Sequence, residues 1–255
     1  MVRAMTTQGQ TGRKASFGFE DIDPADKPAR VRNVFTSVAA RYDIMNDLMS
    51  GGVHRLWKAT LIDRLRPRPD MHLLDVAGGT GDIAFRFLDA GGGHVSVVDL
   101  TESMVRVGRD RALDKARLGG IDWVVGDAQR LPLPDASVDA YTIAFGLRNV
   151  TEIDTALAEA RRVLRPGGHF LCLEFSRVVL PGLDQLYDRY SFKLLPKIGE
   201  IVARDRDSYV YLVESIRRFP PQEELMQRMR AVGFARVDHM NLSGGIAAIH
   251  SGWAI

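Results

Sequence analysis

The chain of 255 residues contains one cysteine, Cys172. A single thiol excludes an intramolecular disulfide framework and any cysteine-rich zinc site, no metal is expected, and the thiol fits a reducing, cytoplasmic compartment. No apolar run approaches the roughly 20 residues that a membrane-spanning helix needs. A charge excess of either sign is also missing. Lys and Arg total 34 against 32 Asp and Glu, a formal net charge of +2. A dedicated nucleic-acid binder carries a broader positive field, so no nucleic-acid partner is expected. There is no internal repeat, low-complexity block or secretory apolar segment. The first nineteen residues hold Arg3, Arg13 and Lys14, no acid and no apolar face. They read as a disordered tail rather than a transit peptide. The tail is expected to run to residue 27 and one domain to fill 28–255.

What is present is ordinary globular composition in a chain long enough to bury a core. Residues 28–66 repeat apolar positions at helical spacing: Val31, Val34, Phe35, Val38 and Ala39, then Leu56, Trp57, Leu61, Ile62 and Leu65. Gly51 and Gly52 separate the two stretches. From residue 71 the rhythm becomes strand and helix in alternation. Strands are expected at 71–76, 95–98, 123–125, 140–145 and 170–175, with helices at 83–88, 103–116 and 153–164 between them. Such an order implies a doubly wound, mostly parallel sheet with every strand's C-terminal end on one edge. Residues 176–220 interrupt the rhythm as a helical insert. A helix at 223–231 and two strands, 235–240 and 246–253, then close the sheet as a terminal β-hairpin, making seven strands in all.

The first strand ends in Asp75-Val76-Ala77-Gly78-Gly79-Thr80-Gly81-Asp82, a glycine turn opening a helix. Glycines there admit a sharp turn and a close ligand, and the helix start offers free N–H groups. Asp99 ends the second strand, where a carboxylate accepts both hydroxyls of a ribose. Asp127 and Ala128 follow the third strand, placed to meet an adenine edge. Each aspartate taken alone also suits a helix cap. The run from Gly79 to Ala84 satisfies G-x-G-x-x-A, so a nicotinamide-dependent dehydrogenase is a rival reading. Asp75, just ahead of the glycines, would repel a pyrophosphate. It suits instead the sulfonium and ammonium of S-adenosylmethionine.

Several blocks together resemble one family: YDIMNDLM at 42–49 with HRLWK at 54–58, DVAGGTGD at 75–82, FGLRNV at 145–150, RVLRPGG at 162–168, LEFS at 173–176 and DSYVYLVESIR at 207–217. The chain is similar to the ubiquinone/menaquinone biosynthesis C-methyltransferases over roughly 31–253. The resemblance implies a Rossmann-like, class I methyltransferase fold. It implies S-adenosylmethionine-dependent methylation of a ring carbon of a polyprenylated benzoquinol or demethylmenaquinol. It assigns cofactor contacts to Thr80, Asp99, Asp127, Ala128 and Ala144, beside Asp75, Gly79 and Gly81 from the glycine turn. A class I methyltransferase for another small lipophilic acceptor is the alternative. A cofactor-binding scaffold of a quinone-biosynthesis complex is the non-enzymatic one.

Carbon methylation needs an electron-rich ring, in-line placement of the carbon and an exit for the ring proton. Arg148 and Asn149, just beyond the fourth strand, are the catalytic candidates together with Tyr42. Asn149 can donate to and accept from quinol oxygens. Arg148 keeps its proton. It would stabilise a phenolate or, as the resemblance implies, orient a water; a structural ion pair is the other reading. Tyr42, Asp43, Asn46, Asp47 and His54 are the substrate-binding candidates, on a helical lid within 28–66. In the insert, Leu183, Leu186, Tyr187, Tyr190, Leu194 and Leu195 form an apolar stripe. It reads as subdomain core, as a groove for the prenyl tail or as a homodimer contact. Arg189, Lys193, Lys197, Arg204 and Arg206 flank it and suit either a solvated face or a peripheral contact with an anionic membrane surface.

Overall fold

A computed structural model describes residues 14–38, 47, 50–117, 119–180, 182 and 206–255. The described residues start with a small antiparallel hairpin, β1 (Ala15–Phe17) and β2 (Glu20–Ile22), turning at Gly18 with φ +59°. These residues fall in the stretch expected as a tail. They are ordered by distant contacts that local patterning does not show. The Phe19 N–H donates to Glu214 Oε2 at 3.0 Å, and the Phe17 ring stacks on Tyr211 at 4.2 Å. Two helices follow, α1 (Lys27–Val38) and α2 (His54–Leu65).

The alternating region folds as its periodicity indicates. The order is β3 (His72–Val76), α3 (Asp82–Asp89), β4 (His94–Asp99), α4 (Glu102–Asp114), β5 (Ile121–Val125), β6 (Val138–Ala144), α5 (Ile153–Val163) and β7 (Leu164–Phe175). Then come α6 (Arg206–Arg218), α7 (Gln222–Ala231), β8 (Phe234–Leu242) and β9 (Ala247–Ala254). The seven-stranded sheet has the order β5-β4-β3-β6-β7-β9-β8. Strands β3 to β7 pair in parallel, and β9 runs antiparallel between β7 and β8. The Arg165-Pro166-Gly167-Gly168 turn is absorbed into β7. Val138 pairs with Leu164 and Ala140 with His169, so the four residues bulge out opposite Asp139, which pairs with Arg165.

Alternate residues of one strand serve opposite faces. Leu73 joins the core under α2, with Trp57 and Leu61, while Leu74 joins the core under α5, with Leu157 and Ala160. Both sheet faces are therefore covered, as near-continuous apolar strands of a parallel sheet require. Cys172 is fully buried in the second of these cores. Among the described residues no helix is long and apolar enough to cross a membrane.

Candidate functional site

From β3 the chain winds outward through β4 to β5, then returns to place β6 on the other side of β3. Connections leave β3 and β6 in opposite directions, and open parallel sheets bind ligands in the crevice this creates. A cavity of about 700 Å³ lies there. Ala77 and Gly79 line it after β3, Asp99 and Thr101 after β4, Asp127 and Ala128 after β5, and Phe145, Gly146 and Asn149 after β6. Pro28, Val31 and Phe35 of α1 close its outer side.

The glycine turn sets the inner wall. Gly79 and Gly81 have φ of +56° and +83°, left-handed conformations that cost a side chain dearly. Gly79 N–H donates to Asp99 Oδ2 at 2.9 Å, and Thr101 N–H to Oδ1 at 2.8 Å. The two bonds aim the carboxylate along the cavity wall. Burial raises the Asp99 pKa, and the same two bonds oppose that rise. Asp127 Oδ1 accepts from Gln129 N–H at 2.9 Å, a local turn that presents the backbone of 126–128 to the cavity. Among the described lining residues there is no Lys, Arg or His.

Gly79, Asp99, Asp127 and Ala128 of the expected cofactor set thus meet in one cavity. Asp75, Thr80 and Ala144 line a second one of about 310 Å³, together with Lys58; Ala77 is in both walls. Asp75 is fully buried in β3. Its Oδ1 accepts from the Thr142 hydroxyl at 2.8 Å, and its Oδ2 has no partner. Burial raises its pKa to about 7. Gly81 lines neither cavity. A Cβ there would stand 2.5 Å from Trp123, so close packing explains the glycine.

Arg148 and Asn149 share a 3-10 turn, Leu147–Asn149, yet serve different surroundings. Asn149 lines the large cavity, and its Oδ1 accepts from the Tyr211 hydroxyl at 3.0 Å. Arg148 does not line it. Its Nη1 donates to Glu174 Oε1 at 2.7 Å and to the Phe145 carbonyl, its backbone N–H donates to Glu174 Oε2 at 3.2 Å, and its guanidinium lies 5.6 Å from the Phe175 ring. The two side chains are 2% and 1% exposed. Arg148 thus makes the ion pair that was the other reading of this residue, while its Nε is buried without a hydrogen-bond partner.

His54 also lies away from the large cavity, beside a cleft with Arg55, Asp82 and Arg86. Its Nε2 bonds Asp47 Oδ1 at 2.9 Å, and Nδ1 is buried without a partner. Burial lowers the His54 pKa, and the bond from the imidazole lowers that of Asp47. A neutral imidazole donating to a carboxylate fits both shifts. Tyr42, Asp43 and Asn46 lie outside the described residues, as do Leu183, Leu186, Tyr187, Tyr190, Leu194 and Leu195 of the insert and its basic flank, apart from the backbone of Arg206.

Three residues at or beside the site escaped the sequence reading. Glu174 was visible as an acid inside an apolar strand, which calls for a buried partner. Lys58 precedes Leu61, Ile62 and Leu65 by three, four and seven residues, so it belongs to the buried stripe of α2. Tyr211 needed the tertiary structure.

The sequence pattern of the ubiE/COQ5 methyltransferase family matches residues 24–254. A protein of Paracoccus denitrificans named ubiquinone/menaquinone biosynthesis C-methyltransferase UbiE is 59% identical over 244 residues, 95% of this chain and 98% of the relative. One of the same name from Methylobacterium nodulans is 61% identical over 244 residues, 94% and 96% of the two chains. Among solved structures, a SAM-dependent methyltransferase of Thermotoga maritima superposes with a TM-score of 0.61 at 22% identity, covering 88% of this chain and 99% of that one. The last similarity speaks for the fold alone.

Proposed function

The chain belongs to the ubiE/COQ5 methyltransferase family, and from that premise we propose how its own residues divide the work. The activity is S-adenosylmethionine-dependent C-methylation in ubiquinone and menaquinone biosynthesis, the acceptor being a polyprenylated benzoquinol or demethylmenaquinol. The observation that carries the cofactor assignment is the lining of the large cavity. It offers the carboxylates of Asp99 and Asp127 and, among the described residues, no cationic side chain. Gly79 N–H, which a pyrophosphate would use, is already given to Asp99. A nucleoside without phosphates fits such a wall, and a dinucleotide does not.

Asp99 accepts one backbone N–H on each oxygen. A carboxylate has about four acceptor sites, so capacity remains for both hydroxyls of a ribose. Ala128 and the backbone around Asp127 form the far wall for the base. When bound, the cofactor supplies an electrophilic methyl group. The chain supplies position and exclusion of water. Tyr211 spends its hydroxyl on Asn149 Oδ1, which leaves the Asn149 amide N–H₂ to donate to a quinol oxygen. The Arg148–Glu174 pair holds the turn that carries Asn149, as a positioning device rather than a contact with substrate. Pro28, Val31 and Phe35 cover the cavity with apolar surface. The prenyl tail brings such an enzyme to a membrane face, where a peripheral, cytoplasmic chain would meet its substrate.

Calorimetry with S-adenosylhomocysteine and with NAD tests the cofactor, and transfer of labelled methyl from S-adenosylmethionine to a short-tailed quinol tests the reaction. Binding of the first ligand, none of the second and label on a ring carbon are expected. Asn149→Ala should lower turnover sharply and leave cofactor affinity within a few-fold. NAD binding, or label on oxygen, would refute the reading.

A further inference from the structure

A further cavity, of about 400 Å³, meets the large one at Val150 and Thr151. Neither the cofactor nor methyl transfer accounts for its wall. Three cations stand there, Lys27, Arg148 and Arg218, with the hydroxyls of Ser16 and Thr151 and, among the described lining residues, no acid. The cation-bearing cleft beside His54 differs, since Asp82 and Asp114 stand among its arginines. Lys27 and Ile153 open α1 and α5, and both line the cavity. Two helix starts therefore adjoin it, each the positive end of a helix dipole.

The two enclosed cations have donors to spare. Lys27 is 3% exposed. Its Nζ donates to the Val150 carbonyl at 2.9 Å, its one hydrogen bond among the described residues, and an ammonium has three donors. Burial lowers its pKa to about 8, a shift that the Glu152 carboxylate opposes. Arg148 gives Nη1 to Glu174 and to the Phe145 carbonyl, and its Nε is buried without a partner. Arg218 is more open. It donates to the Phe19 carbonyl at 2.9 Å and lies 3.6 Å from Asp21. Enclosing cations without a matching counter-charge is costly, and an anion in the cavity would offset that cost.

We propose that this cavity is a binding site for a single phosphate group, held by the Lys27 ammonium and the Arg148 and Arg218 guanidinium groups. A tetrahedral oxyanion offers acceptors to cations that arrive from three separate elements, where a planar carboxylate would leave one of them unserved. The group arrives as a free ion or as the headgroup of a phosphomonoester lipid. For the second source, the Phe19 ring is exposed next to Gly18 of the cavity wall. The proposal is independent of the cofactor reading. It does have a consequence for the neighbouring cavity. Lys27 precedes Pro28, which covers that cavity, and Arg148 precedes Asn149, which lines it. A phosphate between the two cations ties α1 to the turn that carries Asn149.

Two measurements on the full chain test the site. Inorganic phosphate is titrated at millimolar concentration in constant sodium chloride, with the phosphorus NMR linewidth as readout. Co-sedimentation with phosphatidylcholine vesicles, with and without phosphatidic acid, is the lipid arm. Binding of inorganic phosphate assigns the free ion, and retention on phosphatidic acid vesicles alone assigns the headgroup. Lys27→Met should weaken whichever ligand binds by roughly 10- to 100-fold, the range for hydrogen bonds to a charged group. Lys115→Met removes a cation from the cleft beside His54 and should change nothing. If Lys27→Met fails to fold, Arg218→Gln carries the test, with a smaller loss expected because Arg218 is 42% exposed. No binding in either arm, binding that Lys27→Met leaves intact, or an equal loss in Lys115→Met would overturn the site.

Discussion

Replacing Arg148 by Met should destabilise the fold before it touches the chemistry. The guanidinium and the Glu174 carboxylate are 2.7 Å apart with almost no exposure. Removing the cation leaves Glu174 with two backbone donors, the N–H groups of Arg148 and Phe175, and no opposite charge. Breaking such a buried pair from one side costs about 3–5 kcal/mol. Protonation of Glu174 limits the loss. Burial already raises the Glu174 pKa, against the pull of Arg148. Without the arginine it should rise further above its unfolded value. A carboxyl whose folded pKa is raised binds its proton more tightly when folded, so stability declines as pH increases through that pKa. The Arg148→Met deficit should accordingly be larger at pH 8 than at pH 6. Adding Glu174→Gln removes the orphaned charge and keeps a carbonyl for one of the two N–H groups, which bond different carboxylate oxygens, so the double variant should recover part of the loss. Urea denaturation at both pH values measures this. Calorimetry with S-adenosylhomocysteine should show cofactor affinity within a few-fold throughout, with turnover impaired in both variants because the turn carrying Asn149 loses its anchor. A cost below about 1 kcal/mol at both pH values, or no recovery in the double variant, would refute the argument that the pair holds this turn.

Gly146→Ala should disrupt the cavity wall, since its Cβ would stand 2.3 Å from Ala77 Cβ, at a cost of about 1–3 kcal/mol for overpacking; adding Ala77→Gly, at a residue with φ +51°, should restore most of it, and strict additivity in denaturation would disprove the clash. His169 and His250 have pKa values lowered by burial to about 4. Their unfolded forms take up protons first as pH falls, so stability should decline from about pH 6.5 toward pH 4 by at most about 3 kcal/mol per residue. Thermal unfolding across that range checks the sign, and a flat profile would refute it. Asp99→Ala should weaken S-adenosylhomocysteine binding by about 1.5–3 kcal/mol, the scale for hydrogen bonds to a charged group, whereas unchanged affinity would make Asp99 only an anchor for Gly79 and Thr101.

The sheet was legible because its determinants are local and periodic. Leu73, Leu74 and Val76 announce a strand buried on both faces, the glycines after it announce the turn, and the alternation with amphipathic helices leaves few topologies open. Asp99 and Asp127 were legible for a related reason. They stand at strand ends, and in a parallel sheet those ends share one edge whatever the side chains do. The sequence by itself therefore determined the fold class, the family and the sheet edge at which the cavity opens. The partners of the charged groups were decided elsewhere. Arg148 and Asn149 are neighbours in the chain, yet Glu174, 26 residues on, claims one, and Tyr211, 62 residues beyond Asn149, orients the other. Lys58 meets Asp82 because α2 packs over β7 and against α3. The hairpin at 15–22 forms because α6 offers Glu214 and Tyr211 to it. A strand's period is a property of adjacent residues, but an ion pair depends on which distant side chain arrives at bonding distance after the core has closed, and only the tertiary structure decides that.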